Sequence, residues 1–161
     1  MISSALGVIL FLEMKGTNTM TNEDRLLRIG DIYFMRFGGY GSEQAGWRPG
    51  LVFQNNTGNT HSPNIIALPL TSSLKKLNQP THVLLPSNDT GLPRDSLVLC
   101  ENPECMSKEK IGNYLTTLSV GYMRQIAAAS ILATSVVSFL DEETLISVWA
   151  RACSLNATPV A

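Results

Sequence analysis

The chain has 161 residues, enough for one domain of roughly 150 residues with a sizeable core. Only 16% of them are charged and 44% are hydrophobic, which excludes a charge-driven disordered chain and a long solvated coiled coil. Twelve Lys and Arg against thirteen Asp and Glu leave a net charge of −1, so a nucleic-acid partner would have to be held by a local patch.

Residues 5–12, ALGVILFL, are apolar. A membrane span needs about 20 such residues. A secretory signal needs a basic stretch ahead of its apolar run, and no Lys or Arg precedes this one. From Met20 the text reads like a start, so the first nineteen residues are expected to be an upstream-start artefact or a dispensable extension, within an N-terminal extension of residues 1–22, with a weak signal peptide as the alternative. Arg28–Phe37 is rich in β-branched and aromatic residues and predicts a strand, broken by Gly38, Gly39 and Gly41. Gly50–Gln54 and Asn64–Leu70 predict the second and third strands. Asn55–Pro63, polar and containing Gly58, reads as the loop between them. Thr71-Ser72-Ser73 opens a basic turn. Thr81–Leu85 and Leu92–Cys100 predict two more strands. Ser107 can cap a helical turn to Ile111, and Tyr114–Leu118 reads as a sixth strand. Ser119 to about Val137 has apolar residues at helical spacing, Tyr122, Ile126, Ala129 and Ala133 among them. Ser138 or Asp141 caps a last short amphipathic helix, and Asn156–Ala161 is a patternless tail. Short strands followed by helices predict a small twisted sheet or barrel with helical caps.

The three cysteines, Cys100, Cys105 and Cys153, form no C-x-x-C and no zinc-ligand spacing with His, which fits unpaired thiols in a reducing cytoplasm. There is no H-E-x-x-H and no clustered Asp/Glu motif, so no metal or other cofactor is expected.

GDIYFMRF, GSEQAGWRPGLVFQN, SPNIIALPLTS, THV and RDSLVLCEN follow one another at tight spacing. This succession resembles the MazF/PemK family of type II toxin–antitoxin toxins over about Ile29 to Val137. The resemblance implies a mainly β fold with helices: an SH3-like, CcdB/PemK-like small β-barrel capped by a C-terminal helix, spanning about residues 23–138, with residues 139–161 as a further helix and tail. It implies a homodimer in the cytoplasm that cuts single-stranded RNA, mostly mRNA, at short sequences without a metal. The implied partners are that RNA and a cognate antitoxin protein, with DNA reached only through an antitoxin complex and no membrane involved.

Metal-free cleavage uses the 2′-OH as nucleophile and leaves a 2′,3′-cyclic phosphate and a 5′-OH. The enzyme must remove one proton, supply another, and stabilise charge on the phosphoryl oxygens. Arg48 suits the last task, since its planar fork binds phosphate with two hydrogen bonds, and Pro49 stiffens the chain beside it. In the family the arginine of GxRP is catalytic and matches Arg48. The family's threonine at the end of the third strand matches Thr71. Glu101 stands where some members carry an active-site acid and is the candidate auxiliary base. Ser42, Glu43 and Gln44 match the loop that grips RNA, and Ser72 and Asn102 are further RNA-binding candidates. His61 and His82 match no catalytic position and read as structural. Arg94-Asp95 reads as an ion pair.

The chain departs from the family after Glu101. Relatives follow with a segment like Gln-Ile-Arg-Thr-Ile-Asp, where this chain has Asn102-Pro103-Glu104-Cys105-Met106-Ser107. A glutamate in an RNA groove repels phosphate. Two rival readings stay open: a non-catalytic inhibitor of the same fold, of the type that poisons DNA gyrase, and a decayed toxin that only binds an antitoxin.

Overall fold

The computed structural model describes residues 25–38 and 46–156; the expected extension, the loop residues Ser42, Glu43 and Gln44, and the end of the tail lie outside them. Among the described residues seven strands are β1 (Asp31–Phe37), β2 (Gly46–Val52), β3 (Asn64–Thr71), β4 (His82–Leu85), β5 (Ser96–Leu99), β6 (Glu104–Ser107) and β7 (Ile111–Thr117). They pair antiparallel in the order β4-β5-β3-β2-β1-β7, and β6 pairs with the outer half of β3.

Side chains alternate across this sheet, and both faces are covered. Ile32, Leu51, Leu68 and Leu70 enter one buried cluster. Tyr33, Met35, Val52, Ile65 and Ala67 enter the other. The strands cross closely at Gly50, where an added Cβ would stand 2.7 Å from both Met35 Sδ and Phe37 Cζ. Buried Asp31 ties β1 to β7, accepting hydrogen bonds from Thr117 Oγ1 (2.6 Å) and Arg25 Nη2 (3.2 Å).

Among the described residues the α-helices are α1 (Asn56–His61), α2 (Ser87–Thr90), α3 (Val120–Thr134) and α4 (Glu142–Leu155). Ser119 caps α3, and fully buried Ile126 with Ala129 seats it on the first cluster. The helix stops short of Val137 because Ser135 turns left-handed (φ 53°). Asp141 caps α4, accepting from Thr144 N at 2.8 Å. The far end of α4 meets α1, where Thr57 Oγ1 donates to the Leu155 carbonyl at 3.0 Å. Among the described residues no helix is long and apolar enough to cross a membrane.

The expected loop Asn55–Pro63 instead contains α1, capped by Asn55, whose side chain accepts from Gly58 N at 2.8 Å. Capping rather than apolar burial holds this turn, so it carries no periodic signal. The fifth strand is shorter than Leu92–Cys100. Glu104–Ser107 is an additional strand, and the turn capped by Ser107 is a 3-10 turn at Lys108–Lys110.

Candidate active site

Gly50 of β2 lies opposite Pro69 of β3. Carried two residues further, that register sets Arg48 opposite Thr71. Pairing stops at Gly50, and Pro49 and Pro69 each lack a ladder donor, so the strands part there. On the other side of β3, Thr71 lies opposite Leu97, which brings Ser72 beside Ser96. A cleft of about 590 Å³ opens between the three strand ends, with Arg48, Thr71, Ser72 and Arg94 on its walls.

Arg48 is half-buried, and that burial pulls its pKa below the ordinary arginine value. Arginine starts so far above neutrality that it remains a cation. Thr71 Oγ1 accepts from Ser73 N at 3.2 Å, which opens the turn leaving the cleft. Arg94 and Asp95 do not pair, contrary to the sequence reading. Asp95 turns to Ser87, accepting from its backbone N (2.7 Å) and Oγ (2.8 Å), and these bonds lower its pKa. Arg94 is left facing the cleft, with no ion pair among the described residues.

Glu101 and Asn102 lie beyond the other end of β5 and do not line this cleft. Glu101 Oε1 stands 2.7 Å from His82 Nε2, and His82 Nδ1 stands 2.9 Å from the Lys76 carbonyl. His82 thus ties the turn that follows Ser72 to the end of β5. Glu104 also has a local partner: Gly38 N, at the end of β1, donates to its Oε1 at 3.1 Å. Ser42, Glu43 and Gln44 belong to the segment joining β1 to β2, outside the described residues. His61 is exposed at the end of α1.

The sequence reading missed Phe34, Trp47 and Arg94 as cleft residues. A signal existed for Phe34. In DIYFMRF, strict alternation puts Phe34 on the outward side with Arg36, away from buried Tyr33, Met35 and Phe37.

Two arginines and neighbouring hydroxyls line an open cleft at strand ends on a small antiparallel β fold, a set of donors that suits an anionic group. Residues 28–133 match the model of a family described as the PemK-like, MazF-like toxin of type II toxin–antitoxin systems. The chain is 33% identical over 115 residues to endoribonuclease EndoA of Bacillus subtilis, covering 71% of this chain and 99% of that one. It is 35% identical over 102 residues to endoribonuclease MazF of Staphylococcus saprophyticus, covering 63% and 85%. A mycobacterial endoribonuclease solved with its cognate antitoxin superposes with a TM-score of 0.56 at 28% identity, over 68% of this chain and 95% of that one. MazF from Deinococcus radiodurans shares the fold with a TM-score of 0.60 at 22% identity, over 70% and 99%. The chain therefore belongs to the PemK/MazF family of type II toxin–antitoxin toxins.

Proposed function

We propose that the protein cleaves single-stranded RNA at the Arg48–Thr71 cleft by attack of the 2′-OH on the adjacent phosphate. The O2′–P bond forms as the P–O5′ bond breaks. The 2′-OH gives up its proton, the leaving 5′ oxygen gains one, and the products end in a 2′,3′-cyclic phosphate and a 5′-OH. Arg48 binds the phosphoryl oxygens through its fork and neutralises the charge they gain. The Thr71 hydroxyl donates to a second phosphoryl oxygen, and Ser72 lies next along the backbone path. Glu101 serves as a positioning residue, acting through His82 on the turn that leaves the cleft. Glu43 and Gln44, with Ser42, grip the RNA from the segment leading into β2.

The observation that carries this reading is that Arg48 and Thr71, just beyond the last β2–β3 pair, line one cleft. The described walls of the cleft offer arginines, hydroxyls and apolar groups, a donor set suited to an anion rather than to a divalent cation. A cognate antitoxin is the expected protein partner; the mycobacterial relative was solved in complex with one. The expected working form is a cytoplasmic homodimer; the three free thiols fit a reducing compartment.

The test is incubation of the purified protein with naked single-stranded RNA in EDTA. Fragments with 5′-OH and cyclic phosphate ends are expected. Activity that disappears on chelation and returns with Mg²⁺ would refute the metal-free mechanism.

A further inference from the structure

The cleft has an aromatic wall that the chemistry above leaves unused. Trp47 is 54% exposed and Phe34 37%, and both line the cleft. Trp47 pairs across the strands with Arg36, so Phe34, two residues back on the same face of β1, is its diagonal neighbour and within aromatic reach.

Isolated exposed apolar side chains are common and mean little. Trp47 differs because its ring is supported from beneath. A Cβ added at Gly112 of β7 would come within 3.0 Å of Trp47 Cζ3 and 3.1 Å of the Phe34 carbonyl oxygen. The benzo end of the indole thus lies near bare backbone at Gly112, while the side chain as a whole remains more than half exposed. Its place is also telling: although successive strand residues point to opposite faces, Trp47 and Arg48 both line this cleft, and so does Arg94.

We propose that Trp47, with Phe34 beside it, is a stacking platform for one nucleobase of a single-stranded RNA, next to the phosphate held by Arg48. This rests on the proposed nuclease reading and adds a base subsite to it. Every base has a π face, so stacking is tolerant of sequence and supplies affinity rather than choice of base. A ring already held against Gly112 loses little freedom when a base covers it.

The test uses the full chain with Trp149→Phe, which leaves Trp47 as the single tryptophan of the sequence. One probe is a randomised 2′-O-methyl RNA nonamer, which lacks the attacking hydroxyl and cannot be cut. The other is an abasic 2′-O-methyl backbone of equal length. Trp47 emission should be quenched by the nonamer and not by the abasic strand. Trp47→Ala should weaken nonamer binding roughly five- to 150-fold with an unchanged salt slope. Trp47→Phe should restore most of that loss, and Gly112→Ala, which displaces the ring without removing it, should reproduce part of it. Equal quenching by both probes, or an unchanged Kd in a folded Trp47→Ala protein that still cuts RNA, would overturn the proposal. Base-dependent quenching by a protein that cuts no RNA would support the platform and reject the nuclease reading.

Discussion

Replacing Arg48 with alanine removes the guanidinium that the proposed mechanism sets against the reacting phosphate, and the structure allows the loss to be sized. As the phosphate becomes pentacoordinate, its oxygens gain about one unit of negative charge. At about 4 Å, a cation at a partly buried site attracts that charge by about 4 kcal/mol, against about 1 kcal/mol in bulk water. The half-buried setting of Arg48 places it in the stronger regime. The difference of about 3 kcal/mol corresponds to roughly 150-fold in rate. It falls within the range of roughly 10²–10³ for removing one preorganised donor. Arg48→Lys keeps the charge but loses the fork, so its loss should be smaller. The assay is single-turnover cleavage of end-labelled RNA, with a melting curve as the folding control. The melting temperature should hold within a few degrees, because the deleted group is a partly desolvated cation. Undiminished cleavage by folded Arg48→Ala would remove Arg48 from the mechanism.

Ile126 is fully buried between α3 and the sheet, so Ile126→Ala should cost about 3 kcal/mol and lower the melting temperature by about 10 °C, leaving cleavage at room temperature intact; a melting curve within 2 °C of wild type, to the order of such measurements, would contradict this packing. Burial by itself would raise the Glu101 pKa, but hydrogen bonds from His82 and Thr81 hold it below the ordinary carboxylate value. A depressed acid contributes stability above its unfolded pKa and loses it as pH falls through the folded value, so wild type should lose stability below about pH 4 more steeply than Glu101→Gln; superimposable acid-melting profiles would show that the His82 contact contributes nothing. Glu104 accepts from Gly38 rather than facing the cleft, so Glu104→Arg in an Arg48→Ala background, titrated with uncleavable 2′-O-methyl RNA, should leave the salt slope of RNA binding unchanged. A slope steeper by about 0.7 would mean that the new guanidinium reaches a phosphate.

The strands at Asp31–Phe37 and Asn64–Thr71, and the helix capped by Ser119, were legible from sequence because their signals are local: β-branched and aromatic runs, a 3.6-residue period, a capping hydroxyl. The same holds for the 3-10 turn capped by Ser107 and the helix capped by Asp141. The GxRP block also pointed to Arg48. The tertiary structure alone decided what Arg48 faces. The β2–β3 pairing ends just short of it, leaving Arg48 and Thr71 on the walls of one cleft, and the β3–β5 pairing brings Arg94 to the same cleft. Registers of this kind are set by which faces are buried across the whole sheet, which no window of ten residues contains. The same non-locality turned Asp95 to Ser87 instead of its neighbour Arg94, and joined Glu101 to His82. Trp47 reads in sequence as one more apolar residue. Its role as an exposed ring near Gly112 exists only once β2 and β7 flank β1, because backbone-to-ring support is a contact between strands and not a property of either.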